Sequence, residues 1–491
     1  MMIDQIHSVM VQLFHQYILG KLPPDVFSAA FSRYESRLYQ AFMSERLSSV
    51  QYYGQLMLLT QKAKEASASQ MASLKASLIR LNDYQKAAAL SLSGHGPKGL
   101  FSGDKHSMQD FFSSTENTES IREAYRLKHL PDSLSRSFFD SVFIQLDEVF
   151  RTRTDAVVEN GFTTYSHAKC TLTSKTQPVS VLKMLADSYE QLQSCLSSTL
   201  SELSLSPGLL KDPATFRLGI QQLLTDSNLS LPAFSIDDAL KAFVSFLNDR
   251  SDVEASFRCV QGGYLIAIRH NNDLYKLPLL SCPGKQTVTA PSNAGIVQGA
   301  SAITYLKARL FTGLLSVREI KTLYHELGHL LSMNLYQGRP AFYHADFRDI
   351  IEVPSQLIEC EAITYLYASY ITSDAQQKLF DCLVRTDIPD ELRQTEIGCA
   401  DILVHSGTGC RDILNAALPS SVNCFFSYPY FPSRLVYVKH IQDGDMAGEY
   451  HLYPLNSVTA RAMSRRSGSL LKMELLTDSK LIRSAQATLM S

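Results

Sequence analysis

Hydrophobic residues recur along this chain with more than one period, and the changes mark its organisation. Leu182, Leu185, Tyr189, Leu192, Leu196, Leu200 and Leu203 fall at three- and four-residue steps, which predicts an amphipathic helix with one apolar face. From Asp4 to about Ala89 the pattern is also compatible with helix, interrupted by the Pro23–Pro24 pair. A polar stretch between Ser91 and Ser120, containing Ser93-Gly94-His95-Gly96-Pro97, predicts a loop or linker. The runs Tyr264–Ile268 and Tyr275–Leu280 are β-prone and are split by His270-Asn271-Asn272-Asp273, a hairpin signal. After Leu310 helical periodicity returns. The pattern predicts a mainly α protein with a small sheet just before its most informative helix.

Composition narrows the function classes. Lys and Arg total 46 against 48 Asp and Glu, a net charge of -2, which argues against a protein devoted to nucleic acid. Hydrophobic residues make up 45% and charged residues 19% of 491, so a large packed core is expected. No run of apolar residues is long enough to predict an integral membrane segment. The nine Cys include no CxxC pair and read as reduced thiols of an intracellular protein. The first twenty residues carry Asp4 and no Lys or Arg, unlike a secretory signal or a transit peptide.

The helix after Leu310 carries His325-Glu326-Leu327-Gly328-His329. This spacing places two imidazoles one turn apart on one face, where both can ligate one zinc ion, and the intervening Glu326 can act as base toward a metal-bound water. Ser316 and Glu319 form a capping box before Ile320, Leu323, Tyr324, Leu327 and Leu330, and the helix is expected to run to about Tyr336. A catalytic zinc needs a third protein ligand. Residues 330–335 offer no histidine, whereas Glu352 and Glu359, seven apart, share one face of a following helix whose first turn suits Pro354. A carboxylate ligand is therefore expected.

The pairing of His325–His329 with Glu352-Val353-Pro354-Ser355-Gln356 resembles the thimet oligopeptidase family of zinc peptidases, and within it the mitochondrial intermediate peptidases. Gly161-Phe162-Thr163-Thr164-Tyr165-Ser166-His167 is similar to a Gly-Phe-x-Ser-Tyr-Ala-His segment of those enzymes, and Pro429-Tyr430-Phe431-Pro432 to the Pro-Tyr-Val-Pro before their C-terminal loop. The resemblance implies a two-lobed helical zincin-type metallopeptidase with a small antiparallel sheet near the active site and a deep central channel. It implies His325, His329 and Glu352 as ligands of one Zn2+ ion, Glu326 as general base, and Glu359 and Asp349 as carboxylates supporting the ligands. Counted from Pro432, Tyr450 and Tyr453 fall on two tyrosines of the family that donate hydrogen bonds to the oxyanion. Gln442 stands where the family has a histidine and Met446 where it has another tyrosine; His440 or His451 replaces that histidine in a different register.

The expected division is an N-terminal helical domain over 1–210 and a catalytic domain over 211–491. The expected activity is a zinc metalloendopeptidase, acting as a monomer on peptides or on the N-terminal segments of precursor proteins. The altered loop motivates the alternative of a zinc-binding paralogue, impaired in catalysis, that holds peptides or serves as a scaffold. The resemblance implies the mitochondrial matrix; the cytoplasm is the alternative that the N-terminal residues favour.

Overall fold

The computed structural model describes residues 2–18, 21–91, 136–202, 234–260, 263–281, 288–290, 305–308, 314–315, 317–336, 340–368, 388, 391–392, 394–410, 412, 441, 446–466 and 473–490. Helices account for 76% of the described residues, beside one small sheet. Four helices lead the chain: α1 (Met2–Ile18), α2 (Pro24–Ser44), α3 (Ser48–Ala66) and α4 (Ala68–Ser91). Pro24 opens α2, where its missing N–H costs nothing. Next come α5 (Arg136–Val158), α6 (Tyr165–Ser174) and α7 (Pro178–Glu202). Helix α7 spans all but the last of the leucine-periodic positions; Leu203 lies outside the described residues, as does most of the polar stretch 91–120. Between α5 and α6 the chain turns at Gly161, whose φ of 85° suits glycine, and the Thr164 hydroxyl caps α6 by accepting from the His167 N–H at 3.1 Å.

The sheet follows α8 (Ile236–Arg250). Strands β1 (Glu254–Val260), β2 (Gly263–His270) and β3 (Asp273–Ser281) pair antiparallel. Asn271 and Asn272, at φ 50° and 70°, make the two-residue turn between β2 and β3 that the sequence signals. Tyr264, Ile266, Ile268, Leu277 and Leu279 supply the buried face. Two short strands, β4 (Val288–Ala290) and β5 (Tyr305–Ala308), extend the order to β1-β2-β3-β5-β4. Strands β1–β3 are the small antiparallel sheet expected, and β5 joins β3 in parallel at its edge. Beyond it lie α9 (Val317–Leu335), α10 (Tyr343–Phe347), α11 (Glu352–Ala368), α12 (Leu452–Arg466), α13 (Glu474–Thr477) and α14 (Ser479–Met490).

The chain folds into two compact units, and neither follows the single cut expected near residue 210. The first unit combines 1–58, 231–380 and 455–491; the second combines 59–230 and 381–454. Side-chain packing explains the departure. In the first unit Phe42 of α2 meets Phe342 edge-on at 5.6 Å, which ties the N-terminal helices to the segment after α9. In the second, Val142, Leu146 and Val149 of α5 share a core with Ile397, Ala400, Val404, Cys410 and Ile441. No helix among the described residues is long and apolar enough to cross a membrane.

Candidate metal centre

Helix α9 is held by its apolar face. Ile320, Leu323, Tyr324, Leu327, Leu330 and Leu331 are fully buried, matching the predicted periodicity. The Tyr324 hydroxyl donates to the Ala239 carbonyl at 2.9 Å, and its ring packs on Phe243 at 5.4 Å, fixing α9 against α8. Helix α9 also packs on β3, β4 and β5, and most closely on α11. Gly328 permits that last approach: a Cβ there would lie 2.6 Å from Ser355 Cα and 3.1 Å from Ile358 Cβ. Any side chain at this position of the HExxH motif would push α11 away, and Glu352 with it.

The close packing brings three donor atoms together. His325 Nε2 lies 3.2 Å and His329 Nε2 3.3 Å from the same Oε2 of Glu352. Ligand atoms of the three residues all fall within 4.8 Å of one another. Ligands about 2.0–2.1 Å from zinc at tetrahedral angles stand about 3.4 Å apart, so both nitrogen–oxygen separations suit one ion. Two imidazoles and one carboxylate are a donor set that could hold one metal ion. His325, His329 and Glu352 are mostly buried.

The surrounding groups set the state of each donor. Glu359 Oε2 lies 3.1 Å from His325 Nδ1, an acceptor that favours a proton on Nδ1 and makes Nε2 the nitrogen an ion would take. Glu359 Oε1 also meets Lys321 Nζ at 3.3 Å. The Ser355 hydroxyl donates to the Glu352 carbonyl at 2.9 Å and sits 3.4 Å from Glu352 Oε2. Burial pushes the Glu352 carboxyl up, but His329 and His325 outweigh it and hold the acid well below the usual carboxylate range. Burial likewise raises Glu359, and Lys321 and His325 bring it down. Burial depresses His325, and Glu352 and Glu359 more than reverse that, so a proton competes with an ion for this imidazole. His344 is pushed down to about 3 by burial, then by Arg348, His7 and His329, so it stays neutral near His329. Among the described residues, His329 Nδ1 is buried without a hydrogen-bond partner.

Glu326 is partly exposed on α9, between the two histidines. Asp349 takes a different place from the one expected. Both its oxygens accept from Arg483 of α14, at 2.9 Å from Nε and 2.7 Å from Nη2, so it anchors the C-terminal helix instead of supporting a histidine. Tyr450 and Tyr453 belong to the second unit and pack there, rings 5.2 Å apart, Tyr450 within its apolar core and Tyr453 against it. His451 is fully buried in the same unit, neither ring nitrogen is hydrogen-bonded among the described residues, and burial pushes it down to about 4. Met446 is partly exposed there. Gln442, His440, Ser316 and Pro429–Pro432 lie outside the described residues.

Three contributors escaped the sequence reading: Lys321, Ser355 as a donor to Glu352, and Gly328 as the contact point between helices. Lys321 stands one turn before His325 on the same face, so helical spacing carried a signal for it. No protein-family model matches this chain, and no curated protein matches it in sequence.

Proposed function

We propose that this protein is a zinc-dependent metallopeptidase that hydrolyses peptides or the N-terminal segments of precursor proteins. The observation that supports it is the convergence of His325 Nε2, His329 Nε2 and Glu352 Oε2, on two helices pressed together at Gly328. These three groups would hold the ion. When bound, zinc supplies a Lewis acid that makes water acidic near neutral pH and polarises a carbonyl. Glu359 keeps the Nδ1 proton on His325, so Nε2 remains a donor through turnover. Ser355 restrains the Glu352 carboxylate. Glu326 takes a proton from the attacking water onto a carboxylate oxygen and returns it to the leaving amine.

A carboxylate between two ligand histidines has no role in holding zinc, whereas hydrolysis requires one. A quenched-fluorescence peptide assay on zinc-loaded protein tests this. Glu326→Gln should keep the zinc and lower turnover by about 10²–10⁴-fold. Undiminished cleavage by that variant, or full activity after dialysis against a chelator, would sink the reading. The second reading, a zinc-binding scaffold without turnover, draws on the engagement of Tyr450 and Tyr453 in their own unit's packing; wild-type cleavage that depends on Glu326 excludes it.

A further inference from the structure

We propose that Lys321 is a positioning residue for the metal centre: it fixes Glu359, so that His325 presents Nε2 to the ion and Glu359 does not itself become a ligand. The inference rests on the metallopeptidase reading and adds a residue that neither the HExxH spacing nor the acid pair contains.

The geometry is a chain of three groups across two helices. Lys321 lies four residues before His325, and both project from the same face of α9. Across from them, the two oxygens of Glu359 are divided: Oε1 takes the Lys321 ammonium at 3.3 Å and Oε2 the His325 Nδ1–H at 3.1 Å. Lys321 and Glu359 side chains are 16% and 18% exposed, so the pair is far less screened than one on the open surface.

The ambiguity it resolves is built into the sequence. Glu352 and Glu359 stand seven apart on one face of α11, and either acid could in principle serve a cation. A carboxylate held only by an imidazole can rotate and offer its second oxygen to the ion. With Oε1 tied to an ammonium, Glu359 is committed to Nδ1, and among the described residues Glu352 is the carboxylate grouped with the two Nε2 atoms. The ammonium also places a positive charge beside Glu359, where a second cation would otherwise be attracted.

The test uses the full chain with zinc alone as the probe. Zinc affinity is measured by competition with a chromophoric chelator, and coordination by the visible absorption of the cobalt-substituted protein. Lys321→Met should weaken zinc about tenfold, the lower end of the range for groups supporting a metal ligand. It should also change the cobalt spectrum at saturating metal. Lys321→Arg should restore both, and Lys321→Met should add nothing in a Glu359→Gln background. Unchanged affinity and spectrum in Lys321→Met, with wild type binding zinc, would overturn the role of Lys321 and leave the peptidase reading standing. A wild type that binds no zinc would overturn both. Should Lys321→Met fold poorly, Lys321→Gln replaces it, and wild-type affinity and spectrum there overturn the inference equally.

Discussion

Each compact unit buries histidines beside carboxylates, and the two arrangements are built for opposite ends. In the first unit, His325 and His329 turn Nε2 toward one carboxylate oxygen, and the remaining nitrogen of His325 is held by Glu359. In the second, His405 Nδ1 meets Asp401 Oδ1 at 2.9 Å, and Nε2 faces the Arg153 guanidinium at 3.3 Å. Asp401 also accepts the N–H groups of Gly448 at 2.9 Å and Tyr450 at 3.0 Å. Nearby, Glu449 takes the Thr173 hydroxyl at 2.7 Å and lies 3.6 Å from Lys169 Nζ. Arg153, Asp401, His405 and Glu449 are all fully enclosed, and burial pushes His405 below its ordinary value. One cluster turns three metal-ligating atoms toward one another within 4.8 Å. The other spends its donors and acceptors on tying helices and a turn together. Residue type does not distinguish them; the direction of the lone pairs and the access to them do.

Removing the acceptor from the second cluster should have the larger effect on stability. Asp401→Ala leaves the N–H groups of Gly448 and Tyr450 without their acceptor in a dry interior and takes one of two acceptors from His405 Nδ1, so denaturant unfolding should show a loss of about 2–5 kcal/mol. Zinc stoichiometry of the protein that remains folded should be unchanged. Loss of zinc binding without loss of stability would reverse the roles assigned to the clusters. A smaller change sharpens the first cluster. Gly328→Ala places a methyl group against Ser355 and should cost about 1–3 kcal/mol. It should also weaken zinc binding, because α11 carries Glu352. Wild-type zinc affinity in a Gly328→Ala protein of reduced stability would show that the close approach serves packing alone.

What was legible in the sequence was local. HExxH spacing fixes two imidazoles on one helical face, and the run Ile320–Leu331 says which face is buried. The Asn271–Asn272 pair announces its turn because both residues tolerate positive φ. The acid set was legible in part. Helical spacing put Glu352 and Glu359 together, but nothing local reveals that Arg483, more than a hundred residues further on, claims Asp349. The interleaved units were illegible for the same reason. They depend on packing such as Phe42 against Phe342 and the core shared by Val149 and Val404, between segments that no window along the chain joins. Tyr450 and Tyr453 were reached by counting from Pro432, and a count says nothing of what a phenol packs against.

The most direct test of the account is X-ray absorption on the zinc-loaded protein, beside the His329→Ala variant. The account predicts a first shell of nitrogen and oxygen alone at about 2.0–2.2 Å, with scattering from two imidazoles that falls to one in the variant. Sulfur ligands at about 2.3 Å, or a zinc shell unaltered by His329→Ala, would place the metal elsewhere and contradict it.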